Sequence, residues 1–190
     1  MNTADPIIDS TTNTPYSVRY QGAGMVDVYG AVNNNVTATI NGESKVLLGE
    51  FTSNKTVEIV LKNYGKEVAT YTLGEAKLYT DYIENGVDKK LKDNKYGIKP
   101  INGAKVYFEQ KSVTVPTGGE TVVKANVTIP KNTENNTYIE GYISFKGQGI
   151  ENIGMPVLGF YGDYGDEKII DESIYYVVRH FPCSYFSQNI

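Results

Sequence analysis

Tyr138-Ile139-Glu140-Gly141-Tyr142-Ile143-Ser144-Phe145, followed by Met155-Pro156-Val157-Leu158-Gly159-Phe160-Tyr161-Gly162-Asp163, is the most informative stretch of this chain. Each stretch reads as a short β-strand, because aromatic and β-branched residues suit a pleated, half-buried surface. Outward from this pair the texture continues. Thr121 to Ile129 alternates, with Val123, Ala125, Val127 and Ile129 on one face. Pro130 ends it, since proline cannot donate to a ladder. Pro116-Thr117-Gly118-Gly119 is a turn, preceded by Ser112-Val113-Thr114-Val115 and Val106-Tyr107-Phe108. Residues 84–103 are polar, rich in Lys, Asp, Asn and Gly, and read as a long loop.

Further upstream, Ala76 to Tyr82, Val68 to Leu73 and Val46 to Phe51 read as strands. Between them, Thr56 to Lys62 sets Val57, Ile59 and Leu61 on one side, and Asn63-Tyr64-Gly65-Lys66 supplies turn residues. That gives about seven strands at roughly 10-residue spacing, the signature of an antiparallel sandwich or barrel. No helix-length periodic segment interleaves them, which argues against a parallel βαβ sheet. The expected core is Val57, Ile59, Leu61, Val123, Val127, Ile143, Phe145 and Phe160.

Composition agrees. A chain of 190 residues with 40% hydrophobic and 21% charged content is ordinary for a globular protein. Sixteen tyrosines, 19 glycines and no tryptophan lean toward β structure with many turns. A net charge of −4, only two arginines (Arg19 and Arg179) and scattered lysines exclude a phosphate-binding stripe, so nucleic acid is not an expected partner. No apolar run approaches the ~18 residues of a membrane span. The single cysteine, Cys183, allows no intrachain disulfide. Asn35, Asn54, Asn126 and Asn135 match the glycosylation acceptor pattern, at a frequency expected by chance in an Asn- and Thr-rich chain.

Residues 1–33 differ from the rest. Asp5-Pro6 and the polar run Asp9 to Pro15 break regular structure. Met25 to Val32 reads as a short helix with Met25, Val28, Tyr29 and Val32 on one face, weakened by Gly30.

Four segments then fall in the order of a known family. Met1-Asn2-Thr3-Ala4 resembles the end of the helix that closes the catalytic domain of cell-envelope subtilisin-like serine proteases. Gln21-Gly22-Ala23-Gly24-Met25-Val26-Asp27 resembles the Q-G-x-G segment just before that domain ends. Val113 to Thr121 resembles the V-T-V-P-x-G hairpin of the adjoining β-domain, and the two opening strands resemble its last pair. The chain from residue 1 to about Asp166 is thus similar to the fibronectin-III-like domain of lactocepin-type and complement-cleaving surface peptidases. The resemblance implies an all-β, fibronectin-III-like antiparallel sandwich at residues 34–166. A remnant of the catalytic domain would occupy residues 1–33, and a tail or linker residues 167–190. Met1 aligns with an internal family residue, so the chain is expected to be a fragment of a longer protease.

The chemistry of such a protease is not expected here. Its Ser, His and Asp must lie within hydrogen-bond reach. The family's serine sits in a G-T-S-x-A-x-P motif that this sequence lacks, and the single histidine, His180, falls outside the matched region. His180 and Cys183 supply two soft ligands where zinc needs roughly three or four. Asp163, Asp166, Glu167, Asp171 and Glu172 form an acidic cluster whose spacing matches no calcium loop. Gln21-Gly22-Ala23-Gly24 lacks the G-K-[ST] ending of a phosphate loop and reads as a tight reversal. Tyr138, Tyr142, Tyr161 and Tyr164 have the rings to stack on sugars, but tyrosine is more often a strand former.

No catalytic, cofactor-binding or metal-binding residue is therefore assigned, and no cofactor is expected. The resemblance implies a non-catalytic module of a bacterial, extracellular or cell-wall-associated endopeptidase. It would pack on the catalytic domain, with a protein substrate as a second candidate partner and neither nucleic acid nor membrane. The alternative is a free-standing adhesion or carbohydrate-binding module. Under the first reading the apolar groups of the arm, Ile7, Ile8, Met25, Val26 and Val28, should have few partners. The arm should then open at low free-energy cost, and deleting residues 1–30 should change stability little.

Overall fold

The structure, a computed structural model, describes residues 1–81, 83–84, 87–88 and 97–166. Two short helices come first, α1 (Val18–Gln21) and α2 (Val28–Asn33). Strands follow: β1 (Val36–Thr39), β2 (Val46–Phe51), β3 (Lys55–Asn63), β4 (Ala69–Leu73), β5 (Ala76–Asp81), β6 (Ile83–Glu84), β7 (Val87–Asp88), β8 (Ile98–Phe108), β9 (Ser112–Val115), β10 (Glu120–Thr128), β11 (Thr137–Gly147) and β12 (Ile153–Tyr161). A 3-10 turn at Tyr164–Asp166 ends the described chain.

Ten of these strands form one curled sheet in the order β1-β3-β10-β8-β5-β11-β12-β2, with β4 joined to both β11 and β9. β8 is long enough to serve two neighbours. Lys105–Phe108 pairs with β10 on one side, and Ile98–Pro100, Lys105 and Val106 pair with β5 on the other. β11 likewise pairs with β5 near Glu140 and with β4 near Phe145. β2 runs parallel to β12, the one parallel pair among the described strands; the other pairings are antiparallel.

The curl encloses a single cluster of side chains, as the period-2 pattern requires. Ile59, Leu61, Val123, Val127, Ile143 and Phe145 are all buried there, and Val57 packs against the cluster half-buried. Phe160, also expected in the core, is buried instead on the other face of β12, opposite Tyr138 and stacked on Tyr164, because its position in the strand is out of phase with Ile153, Met155 and Val157. The predicted face of β10, Val123, Ala125 and Val127, turns inward, and so does Ile129 just beyond the strand. Phe108 and Phe145 meet across the core with ring centroids 5.6 Å apart.

The structure corrects the reading of residues 84–103 as a loop. β6 and β7 pair with each other, and residues 98–103 belong to β8. Pairing with β5 overrides the polar local sequence: Asp81 opposes Ile98, Thr80 opposes Lys99 and Tyr79 opposes Pro100. A register shift between Lys77 and Tyr79 accommodates the exposed Asn102-Gly103 excursion, where Gly103 takes φ 83°. β1 and α1 were not anticipated. The predicted helix starts later, at Val28, because the Asp27 side chain caps it by accepting from Gly30 N–H at 2.9 Å. In sequence, Ile174 to Val178 reads as one more strand candidate, and it lies outside the described residues.

Candidate functional site, a docked N-terminal arm

Alternation along β11 sends Ile139, Ile143 and Phe145 to the core and puts Tyr138, Glu140 and Tyr142 on the opposite face. An outward glutamate should be wet. Glu140 is instead 0% exposed. What covers it is the arm. Ser17 Oγ donates to its Oε2 at 2.7 Å, the Val18 N–H donates to the same oxygen at 2.6 Å, and Arg19 Nε donates to Oε1 at 2.7 Å. Three donors from consecutive residues thus satisfy a buried carboxylate, the condition under which such a charge is tolerated.

Arg19 does more than neutralise Glu140. Its second guanidinium nitrogen bonds Asp81 at the end of β5, and its guanidinium carbon lies 4.2 Å from the centre of the Tyr138 ring. Burial works against the guanidinium charge, but the two carboxylates outweigh it and hold the pKa above its ordinary value. Tyr142, next on the same face, donates its hydroxyl to Gly22 O at 3.0 Å, and burial pushes that hydroxyl's pKa up.

The arm is itself shaped by polar contacts. The Gln21 side chain accepts from Ile7 N–H at 2.7 Å and donates to Ile7 O and Tyr16 O. Asp5 and Met25 exchange backbone hydrogen bonds. Gly24 makes that crossing possible: a Cβ there would sit 2.1 Å from Asp5 O, and φ is 113°. The Asp9 carboxylate accepts from the N–H groups of Thr11 and Thr12, which lower its pKa.

Asn2 fixes the start of the arm. Its Nδ2 donates to Ala38 O and Gly154 O, both at 3.0 Å, and its Oδ1 accepts from Ala38 N–H and Ser44 Oγ, both at 3.1 Å. Its own carbonyl accepts from Gly154 N–H at 2.6 Å. One side chain therefore spans β1 and β12 where the curl closes, supplying the hydrogen bonds a neighbouring strand would have given.

The arm's polarity is inverted. Asn2, Asp9 and Ser17 are buried, whereas Met25, Val26, Val28, Tyr29 and Val32 are 64–78% exposed and Ile7 and Ile8 are also exposed. The apolar groups are largely exposed, as expected. The polar groups are not, and that corrects the expectation of a loosely held arm.

The other sequence candidates separate clearly. Gln21 to Gly24 forms the tight reversal just described. The late tyrosines are engaged with the protein: Tyr138 under Arg19, Tyr161 edge-on to Phe51, and Tyr164 stacked on Phe160 with centroids 4.0 Å apart. Asp163 accepts from Gly165 N–H. Glu167, Asp171, Glu172, His180 and Cys183 lie outside the described residues. Among the described residues no three potential metal ligands cluster, and no helix is long and apolar enough to cross a membrane. Sequence reasoning missed Asn2, Ser17, Arg19 and Glu140. One signal was available, an acidic residue in the middle of an otherwise aromatic and aliphatic strand.

A family model described as an Fn3-like domain matches residues 46–158, from the start of β2 to near the end of β12. The chain belongs to the Fn3-like domain family. Its similarity to larger proteins extends into the arm. The PII-type proteinase of Lactococcus lactis subsp. cremoris is 34% identical over 181 residues, and so is the PII-type proteinase of Lacticaseibacillus paracasei. Each match takes in 90% of this chain but 9% of the relative. The C5a peptidase of Streptococcus pyogenes is 24% identical over 188 residues, 92% of this chain and 15% of that protein. The chain thus spans a small part of the curated relatives it matches. Among solved structures, the PapD-like domain of human CEP192 aligns with 67% of the chain and 85% of that domain at a TM-score of 0.47 and 10% identity.

Proposed function

We propose that this chain serves as the non-catalytic Fn3-like module of a bacterial cell-envelope serine endopeptidase of the subtilisin type, and that it packs on the catalytic domain and helps position it or its substrate. Residues 1–33 are the catalytic-domain end of the unit, 34–166 the sandwich, and 167–190 a tail or linker. The site of action is extracellular or at the cell wall.

One observation carries this reading. The arm buries its polar groups against the sandwich and turns an apolar surface to solvent, with Val26 76% and Val32 78% exposed. Exposed apolar surface gathered on one element marks an interaction site. The proteinase similarity takes in 90% of this chain and so reaches into the arm, which makes the catalytic domain proposed to adjoin it the natural occupant of this surface. The adhesion or carbohydrate-binding alternative draws no comparable support, because Tyr138, Tyr161 and Tyr164 are stacked within the protein.

The test adds this chain in trans to the catalytic domain of the lactococcal PII-type proteinase, prepared without its own Fn3-like region. The chain alone should hydrolyse no casein and take no fluorophosphonate label at any serine. It should bind the catalytic domain, raise its casein turnover, and lose at least about tenfold in affinity on Val26→Asp, since a charge placed in a desolvated contact is costly. Stoichiometric serine labelling would overturn the non-catalytic reading. Absence of binding, or binding indifferent to Val26→Asp, would overturn the docking reading.

A further inference from the structure

We infer that Glu140 is a positioning residue: its buried carboxylate fixes the direction in which the middle of the arm, residues 5–25, projects from the sandwich. This rests on the arm being the face offered to a neighbouring domain.

The arm is held at both ends by other means. Asn2 ties its start to β1 and β12, and α2 leads directly into β1. Between these points the arm makes its own turns, through Gln21, Asp9 and the Asp5–Met25 crossing. Those contacts are internal, so they shape the loop without aiming it. Side-chain bonds from the loop to the sandwich converge on β11 and its neighbour β5: Ser17, Val18 and Arg19 on Glu140, Arg19 on Asp81, and the Tyr142 hydroxyl on Gly22. Glu140 receives three of these bonds and is itself fully buried.

A single carboxylate accepting from a hydroxyl, a backbone N–H and a guanidinium imposes more geometry than an apolar contact would, because each bond is directional. Glu140 therefore reads the arm's orientation as well as its presence. The exposed Ile7 and Ile8 lie on the loop so held. Holding them in one orientation before a partner arrives reduces the entropy lost on binding.

The experiment measures the loop's orientation directly. Spin labels are placed at Ile8→Cys on the arm and Lys124→Cys on β10, both exposed, with Cys183→Ser to remove the native thiol. Pulsed electron–electron resonance should give one narrow distance distribution. Glu140→Ala should broaden it severalfold while amide exchange in β3 and β10 stays within about twofold of the parent. Should Glu140→Ala not fold, Ser17→Ala with Arg19→Met removes two donors from the arm side, leaves the sandwich sequence intact, and should broaden the distribution likewise. A distribution that stays narrow in the folded variant overturns the inference. So does broadening accompanied by equal loss of protection in β3 and β10, which would make Glu140 a general stability residue. The readout needs no catalytic domain, so failure of docking in trans leaves this result standing.

Discussion

Phe145→Ala lowers the unfolding free energy by ~3–5 kcal/mol, the cost of emptying a fully buried aromatic site that cannot collapse. Phe145 has no solvent exposure and lies on β11 between Ile153 of β12 and Leu73 of β4. Both neighbours are anchored by strand pairing on either side, so neither backbone can move in to fill the space. The ring of Phe108, 5.6 Å away, loses its aromatic partner as well. Chemical denaturation of the purified chain measures the effect. A loss under about 1 kcal/mol would mean that the inward face of β11 has been assigned to the wrong set of residues.

Asn2→Ala costs ~2–4 kcal/mol, although it removes a single small side chain near the chain's beginning. Ala38 N–H, Ala38 O and Gly154 O lose their Asn2 partners together, and each buried polar group left unpaired costs about 1–3 kcal/mol. Partial rehydration at the strand edges keeps the sum below the largest simple total. Deleting residues 1–30 should be at least as damaging, since the partners of Glu140 go too. This is the reverse of what the sequence suggested, and a melting temperature unchanged by the deletion would restore the earlier expectation.

The reason for that reversal shows where sequence reasoning stops. Period-2 alternation is local, and it placed β3 and β10 with the right faces inward because Val57, Ile59, Leu61 and Val123 to Ile129 repeat without interruption. The same alternation puts Glu140 on the outer face and says nothing of what lies above it. Its partner Ser17 is 123 residues away in sequence. Asn2 and Ala38 are likewise joined by a long-range contact that neither residue type signals. β8 was hidden for a related reason: Pro100, Asn102 and Gly103 are poor strand residues held in place by their pairing or bulge on β5. β1, only four residues long and directly following Asn33-Asn34-Asn35, is too short to show a period. The arm's exposed apolar groups were legible because their lack of local partners was a local property.

The arm lies fastened on the outer face of β11 with its apolar side turned to solvent. Residue-resolved amide hydrogen exchange on the intact chain tests it most directly. The Val18 N–H, bonded to a carboxylate with no solvent exposure, should exchange at least about a hundredfold more slowly than an unstructured amide, together with Asp5 and Met25, whose N–H groups are paired across the arm. Random-coil exchange at Val18, Asp5 and Met25, with β3 and β10 still protected, would contradict it and return the arm to a loosely attached segment.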